Sequence, residues 1–207
     1  MIVVAIIGLL AAVSVPEFSK YKRKAKLVEA YTVVKNIKDK QQNFYLDNTH
    51  FCTLSANGGQ VGDNYAFGAG LTEVWNQIGY PIAVGSQTSF VYSSNAGETN
   101  KSNSPSGPGS ANVCRANTNA SVSPLNGSLS YPPNLSLKQC ITSITAEDMG
   151  IDAAPTGSYD WVAIVAKANL NRDNSNQCTA VFMMMTTDDL GQSFTTSNMI
   201  TLNYEGS

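Results

Sequence analysis

Residues 1–26 read MIVVAIIGLLAAVSVPEFSKYKRKAK. The first fifteen carry no charge and a single hydroxyl, Ser14. Such a segment is stable in lipid or against other apolar segments and unstable in water. It is short for a membrane span, which needs about 20 apolar residues. The small residues Ala12-Val13-Ser14 resemble a signal-peptide cleavage site, but a secretory leader carries its basic residues before the apolar run. Here they follow it, at Lys20, Lys22, Arg23, Lys24 and Lys26. A membrane segment so flanked would hold the body in the cytoplasm unless stronger positive charge preceded it, so a basic leader is expected upstream of Met1.

Gly8 and Pro16 both weaken a helix, and the segment between them is expected to interrupt it. Helical spacing then resumes. Phe18, Tyr21, Ala25 and Val28 recur at steps of three and four, as do Leu27, Tyr31 and Val34, and then Ile37, Gln41 and Phe44. The pattern predicts an amphipathic helix from about Glu17 to Leu46, with Asp47, Asn48 and Thr49 as its stop. Together the two segments make a helix roughly 70 Å long. The rest of the chain makes a globule about 40 Å across, too small to cover it. Residues 1–25 are therefore expected to protrude as an apolar half-helix, and 26–207 to form a globular domain.

The remainder reads as α+β. Leu71–Ile78 suggests a short helix or loop. Tyr80–Val84 and Ser89–Tyr92 suggest short strands. Residues 93–138 are rich in Ser, Asn, Gly and Pro and read as a long surface loop pinned by Cys114. The strongest strand patterns are Tyr159–Ala168, Cys178–Thr187 and Met199–Tyr204. Asn169–Gln177 and Asp188–Ser193 hold the turn residues to join them as antiparallel neighbours. The expected architecture is a long N-terminal helix, interrupted between Gly8 and Pro16, with an antiparallel sheet of about four strands on its C-terminal half.

Charged residues are 14% of the chain, against roughly 25% in an average soluble protein. Uncharged polar residues take their place, which suits a surface outside the cell. The net charge of −2 hides a basic end and an acidic body: residues 1–40 carry +5 and the remainder −7. Such a chain can attract its own copies head to tail. An acidic body repels phosphate, so nucleic acid is not an expected partner. The four cysteines, Cys52, Cys114, Cys140 and Cys178, form no CxxC pair, and one histidine cannot complete a zinc site. They fit two disulfides in an oxidising compartment. Three pairings exist; Cys52–Cys114 with Cys140–Cys178 is favoured because sequence neighbours close first.

His50 lacks an evident catalytic partner and reads as a surface histidine. Asp173 and the pair Asp188-Asp189 lack the spacing of a calcium loop and read as turn residues. Met183 and Met185 should face the core, with Met184 pointing the other way and exposed if it serves as a subunit contact. No nucleophile elbow, phosphate loop, zinc-protease or dinucleotide motif occurs, so no catalytic, cofactor or metal residue is nominated.

The N-terminal residues resemble the helix of type IV pilins and pseudopilins. The apolar run, Gly8, Ala11-Ala12, Pro16 and the basic stretch fall in that family's order and spacing over residues 1 to about 45. The resemblance implies a non-enzymatic subunit that polymerises with itself into a helical pilus on the bacterial surface, serving adhesion, twitching motility or DNA uptake. The inner membrane would hold the unassembled subunit, and the pilus assembly machinery would be a further partner. Ile2, Val3, Val4, Ile6, Ile7, Gly8, Leu9, Leu10, Val13, Pro16 and Phe18 would enter the membrane and then the filament core. Lys20, Lys22, Arg23, Lys24 and Lys26 would supply electrostatic contacts between subunits. The alternatives are a type II secretion pseudopilin, a minor tip pilin, or a membrane-anchored extracytoplasmic enzyme.

Overall fold

The computed structural model describes residues 2–54, 60–61, 64–67, 69–99, 114, 159–170, 179–188 and 190–202. One helix, α1, runs from Ile2–Asn48. It is continuous. The interruption expected between Gly8 and Pro16 is absent from this chain by itself. A proline in a helix removes one hydrogen bond and costs about 3 kcal/mol, and the rest of a 47-residue ladder keeps the backbone helical across it. The helix stops where the sequence indicates: Thr49 adopts a left-handed φ of 59°, and its N–H reaches the Tyr45 carbonyl at 2.7 Å.

The main sheet comprises β4 (Val91–Thr99), β5 (Tyr159–Ala168), β6 (Thr179–Thr187), β7 (Phe194–Thr196) and β8 (Ile200–Leu202), all antiparallel. Both β7 and β8 pair with the free edge of β6, β7 at Met185–Thr187 and β8 at Ala180–Phe182. Four ranks of strand result. A small three-stranded sheet forms from β1 (Gln60–Val61), β2 (Asn64–Ala66) and β3 (Gln87–Thr88). The helix α2 spans Ala69–Gln77. It ends at Gly79, whose φ of 72° lets the Tyr80 N–H return to the Trp75 carbonyl at 3.1 Å.

Register explains the core. Three rows cross the sheet toward α1: Ala96–Val162–Met185, Ser94–Ile164–Met183 and Tyr92–Ala166–Val181. Against them α1 sets Ala30, Val34, Ile37, Gln41 and Tyr45, all buried and spaced by three or four residues. The helix and sheet thus form two layers closed by apolar burial.

Two strand expectations need correction. Tyr80–Val84 is not a strand; 80–83 are irregular and a turn follows. Residues 93–99, expected in the loop, belong to β4. The mix of small, polar and charged residues in SSNAGET gives no strand pattern, yet every one pairs with β5, from Ser93↔Val165 to Thr99↔Tyr159. The rest of that loop lies outside the described residues apart from Cys114. Cys140, Asp173 and Cys178 also lie outside them. Cys52 and Cys114 are bonded, with Cα atoms 5.0 Å apart.

Candidate functional site

Along α1 the surroundings change with position. From Ile2 to Ser14 every residue is exposed. Ile2, Val3, Val4, Ile6, Ile7, Leu9, Leu10 and Val13 keep between 53% and 77% of their surface in contact with solvent. A side chain added at Gly8 would meet nothing within 4 Å. Phe18 and Tyr21 continue the exposed apolar surface. Monomeric soluble proteins rarely present an apolar surface of this extent, and it marks an interaction region. This helix is long and apolar enough to cross a membrane. For Pro16 only the helical backbone is described.

The basic stretch follows directly. Lys20, Lys22 and Lys24 are exposed, while Arg23 and Lys26 are partly covered. Lys20 lies 3.3 Å from Glu17, both exposed, a pair worth a fraction of a kcal/mol. The segment therefore presents concentrated positive charge where the protruding helix meets the body.

The remainder of α1 is anchored by polar contacts as well as by its apolar face. Gln41 is wholly buried. Its Oε1 accepts the Cys52 N–H at 2.9 Å, and its Nε2 donates to the Cys52 carbonyl at 2.8 Å and to Ser94 Oγ at 3.1 Å. This clamps the returning chain against the helix and fixes the disulfide's attachment point. Tyr31 and Thr201 share a hydroxyl–hydroxyl hydrogen bond of 2.5 Å that ties α1 to β8. The helical spacing flagged Gln41 as an inward position; nothing in the sequence specified its partners.

His50 Nδ1 lies 2.8 Å from the Asn48 carbonyl, and the ring packs edge-on against Phe44. Asp188 is a turn residue: it accepts the Ser193 hydroxyl and the Gln192 N–H, each at 2.8 Å. These bonds, the Ser193 hydroxyl first, hold its carboxyl below the usual range. Met183 and Met185 face α1. Met184 points away from it, as expected, but it is fully buried and cannot serve as a surface contact. Both faces of β5 and β6 are covered, so strand alternation does not place Met184 in solvent. Among the described residues there is no cluster of three or more His, Cys, Asp or Glu able to hold a metal ion.

The chain is 33% identical over 89 residues to the type IV major pilin of Myxococcus xanthus, a match covering 40% of each chain. It therefore spans well under half the length of that relative. No family model matches the chain. No solved structure matches it either. The sequence similarity, the protruding apolar helix and the antiparallel sheet on its distal part together fit a pilin, and the architecture is pilin-like.

Proposed function

We propose that this chain is the structural subunit of a type IV pilus, and its major rather than a minor component. The observation that carries the reading is the exposed surface of Ile2–Val13 on a helix that the body leaves bare. The similarity to a major pilin supports it. Before assembly, the apolar segment rests in the inner membrane. On extraction by the assembly machinery it exchanges lipid for the same segment of neighbouring copies. Lipid tails are as apolar as leucine, so packing and exclusion of water, rather than a large hydrophobic gain, drive the exchange. That near-balance lets a separate motor extend and retract the fibre, as adhesion and twitching motility require. Lys20, Lys22, Arg23, Lys24 and Lys26 face the acidic bodies of neighbours. Gly8 and Pro16 are where α1 can yield during packing.

Deleting residues 2–15 is the direct test. The shortened chain should fold, keep its Cys52–Cys114 bond and stay monomeric in water, with no fibres by electron microscopy. Fibres from the shortened chain, or an unfolded body, would overturn the reading. The major role is tested by abundance: the chain should dominate sheared surface fibres, and trace amounts would make it a minor subunit.

A further inference from the structure

A cavity of about 170 Å³ opens beside α1, between α2 and the segment that follows it, and Val33, Phe67, Trp75, Tyr80, Ile82 and Tyr92 line it. Phe67 meets Trp75 edge to face, with centroids 5.3 Å apart and planes at 82°. Trp75 meets Tyr80 at 5.7 Å and 70°. Such packing turns successive rings through near right angles, so they wall one hollow in different orientations. One helical turn before Val33 stands Glu29, half-buried. Its Oε1 accepts the Ser89 N–H at 3.0 Å and the Tyr92 hydroxyl at 3.5 Å. Among the described residues no cation pairs with it; the ion pairs are Lys20–Glu17 and Lys38–Asp39. The Tyr80 and Tyr92 phenols are both held above their usual range, by burial first and then by the charge of Glu29. The carboxylate's field therefore reaches two walls of the cavity.

Aromatic faces attract cations, and a partly buried carboxylate beside them attracts the same charge. The volume is below the roughly 300 Å³ at which pockets begin to hold drug-sized ligands. It suits one side-chain-sized group. The chain itself supplies such a group in quantity, since seven of the eight basic residues in 1–40 are lysines. On α1, Lys22 precedes Glu29 by seven residues, about 10 Å along the axis. A second copy stepped along the helix axis can therefore set a lysine of its 20–26 segment level with Glu29.

We propose that this cavity, with Glu29 beside it, receives an aliphatic ammonium group, and that in the fibre this group is a lysine from the 20–26 segment of a second copy. The second half rests on the fibre reading above; the first does not.

The full chain in detergent tests the chemistry by titration with n-butylammonium, followed by tryptophan emission, because Trp75 lines the cavity. The expected result is a saturable change that butan-1-ol does not produce. Glu29→Gln, which keeps an acceptor for the Ser89 N–H, should weaken it about tenfold. Val33→Phe, which fills the hollow, should abolish it. Absence of saturation, an equal response to butan-1-ol, or an unchanged response in Glu29→Gln would overturn the cavity's role. The source is tested in fibres of mixed isotopic label by carbodiimide cross-linking and mass spectrometry. Glu29 should link to Lys20, Lys22, Lys24 or Lys26 of a differently labelled copy. Ammonium binding without such a link would overturn the second copy as source. A chain that forms no fibres overturns the fibre reading and that source together, while the titration still decides the cavity.

Discussion

The Tyr45 hydroxyl donates to Asp160 Oδ2 at 2.7 Å, joining the last turn of α1 to the first residues of β5 across 115 positions of sequence. Both residues are buried. The Thr187 hydroxyl accepts the Asp160 N–H at 3.0 Å, so the contact extends into β6. One phenol thus pins the end of the helix to two strands of the sheet. Removing its hydroxyl leaves a buried carboxylate short of a donor. Tyr45→Phe should therefore lower stability by about 2 kcal/mol. A reduced denaturation midpoint with an unchanged slope would match; an unchanged midpoint would show that the bond adds nothing net.

Gly97 sits directly opposite Trp161 across the β4–β5 pair. A Cβ at this position would lie 2.5 and 2.7 Å from two carbons of the indole ring. That ring is buried and cannot swing away freely. Gly97→Ala should cost about 1–3 kcal/mol through overpacking, measurable as a lower melting temperature. The same substitution at Gly8, where the surroundings are open, should leave the melt of the body unchanged.

The Cys52–Cys114 bridge closes 62 positions of chain. A loop of that length restricts the unfolded ensemble by about 4 kcal/mol. Replacing both residues with serine should lower stability by that order in chemical denaturation. A reducing agent should affect the unaltered chain more than this double variant.

Alkali should destabilise the body. The folded chain holds the Tyr80 and Tyr92 phenols above their ordinary value of 10.0. Below that value folded and unfolded chains both keep the protons, and stability is complete. Above it the unfolded chain releases them and the folded chain does not, so stability falls as pH rises. The urea midpoint should hold from neutrality to about pH 9 and decline beyond about pH 10. Part of the tyrosinate absorbance should appear only as the body unfolds.

Within the exposed run, Ile7→Lys places a charge where membrane and fibre core are both apolar. Insertion of such a residue costs about 3 kcal/mol at mid-membrane. Fibres should be lost while circular dichroism and the thermal melt of the body stay unchanged, because Ile7 touches none of the core.

By itself the sequence determined the parts that depend on composition and period. An uncharged run has few stable surroundings, so Ile2–Val13 reads as an interaction segment from composition alone. The 3.6-residue period located the second half of α1, apolar runs bounded by turn residues located strands β5 and β6, and Asp47-Asn48-Thr49 marked the helix end. Tertiary structure decided the rest because those outcomes depend on residues far apart in the chain. The polar run Ser93–Thr99 became strand by pairing with β5. Met184 was buried because both faces of the sheet are covered. Pro16 left the helix unbroken for a local reason instead, because its flanking turns hold the backbone. Gln41 and Tyr45 looked like ordinary positions on an amphipathic face. Only the fold brought Cys52 and Asp160 to them, and those contacts fasten the C-terminal end of α1 to the body.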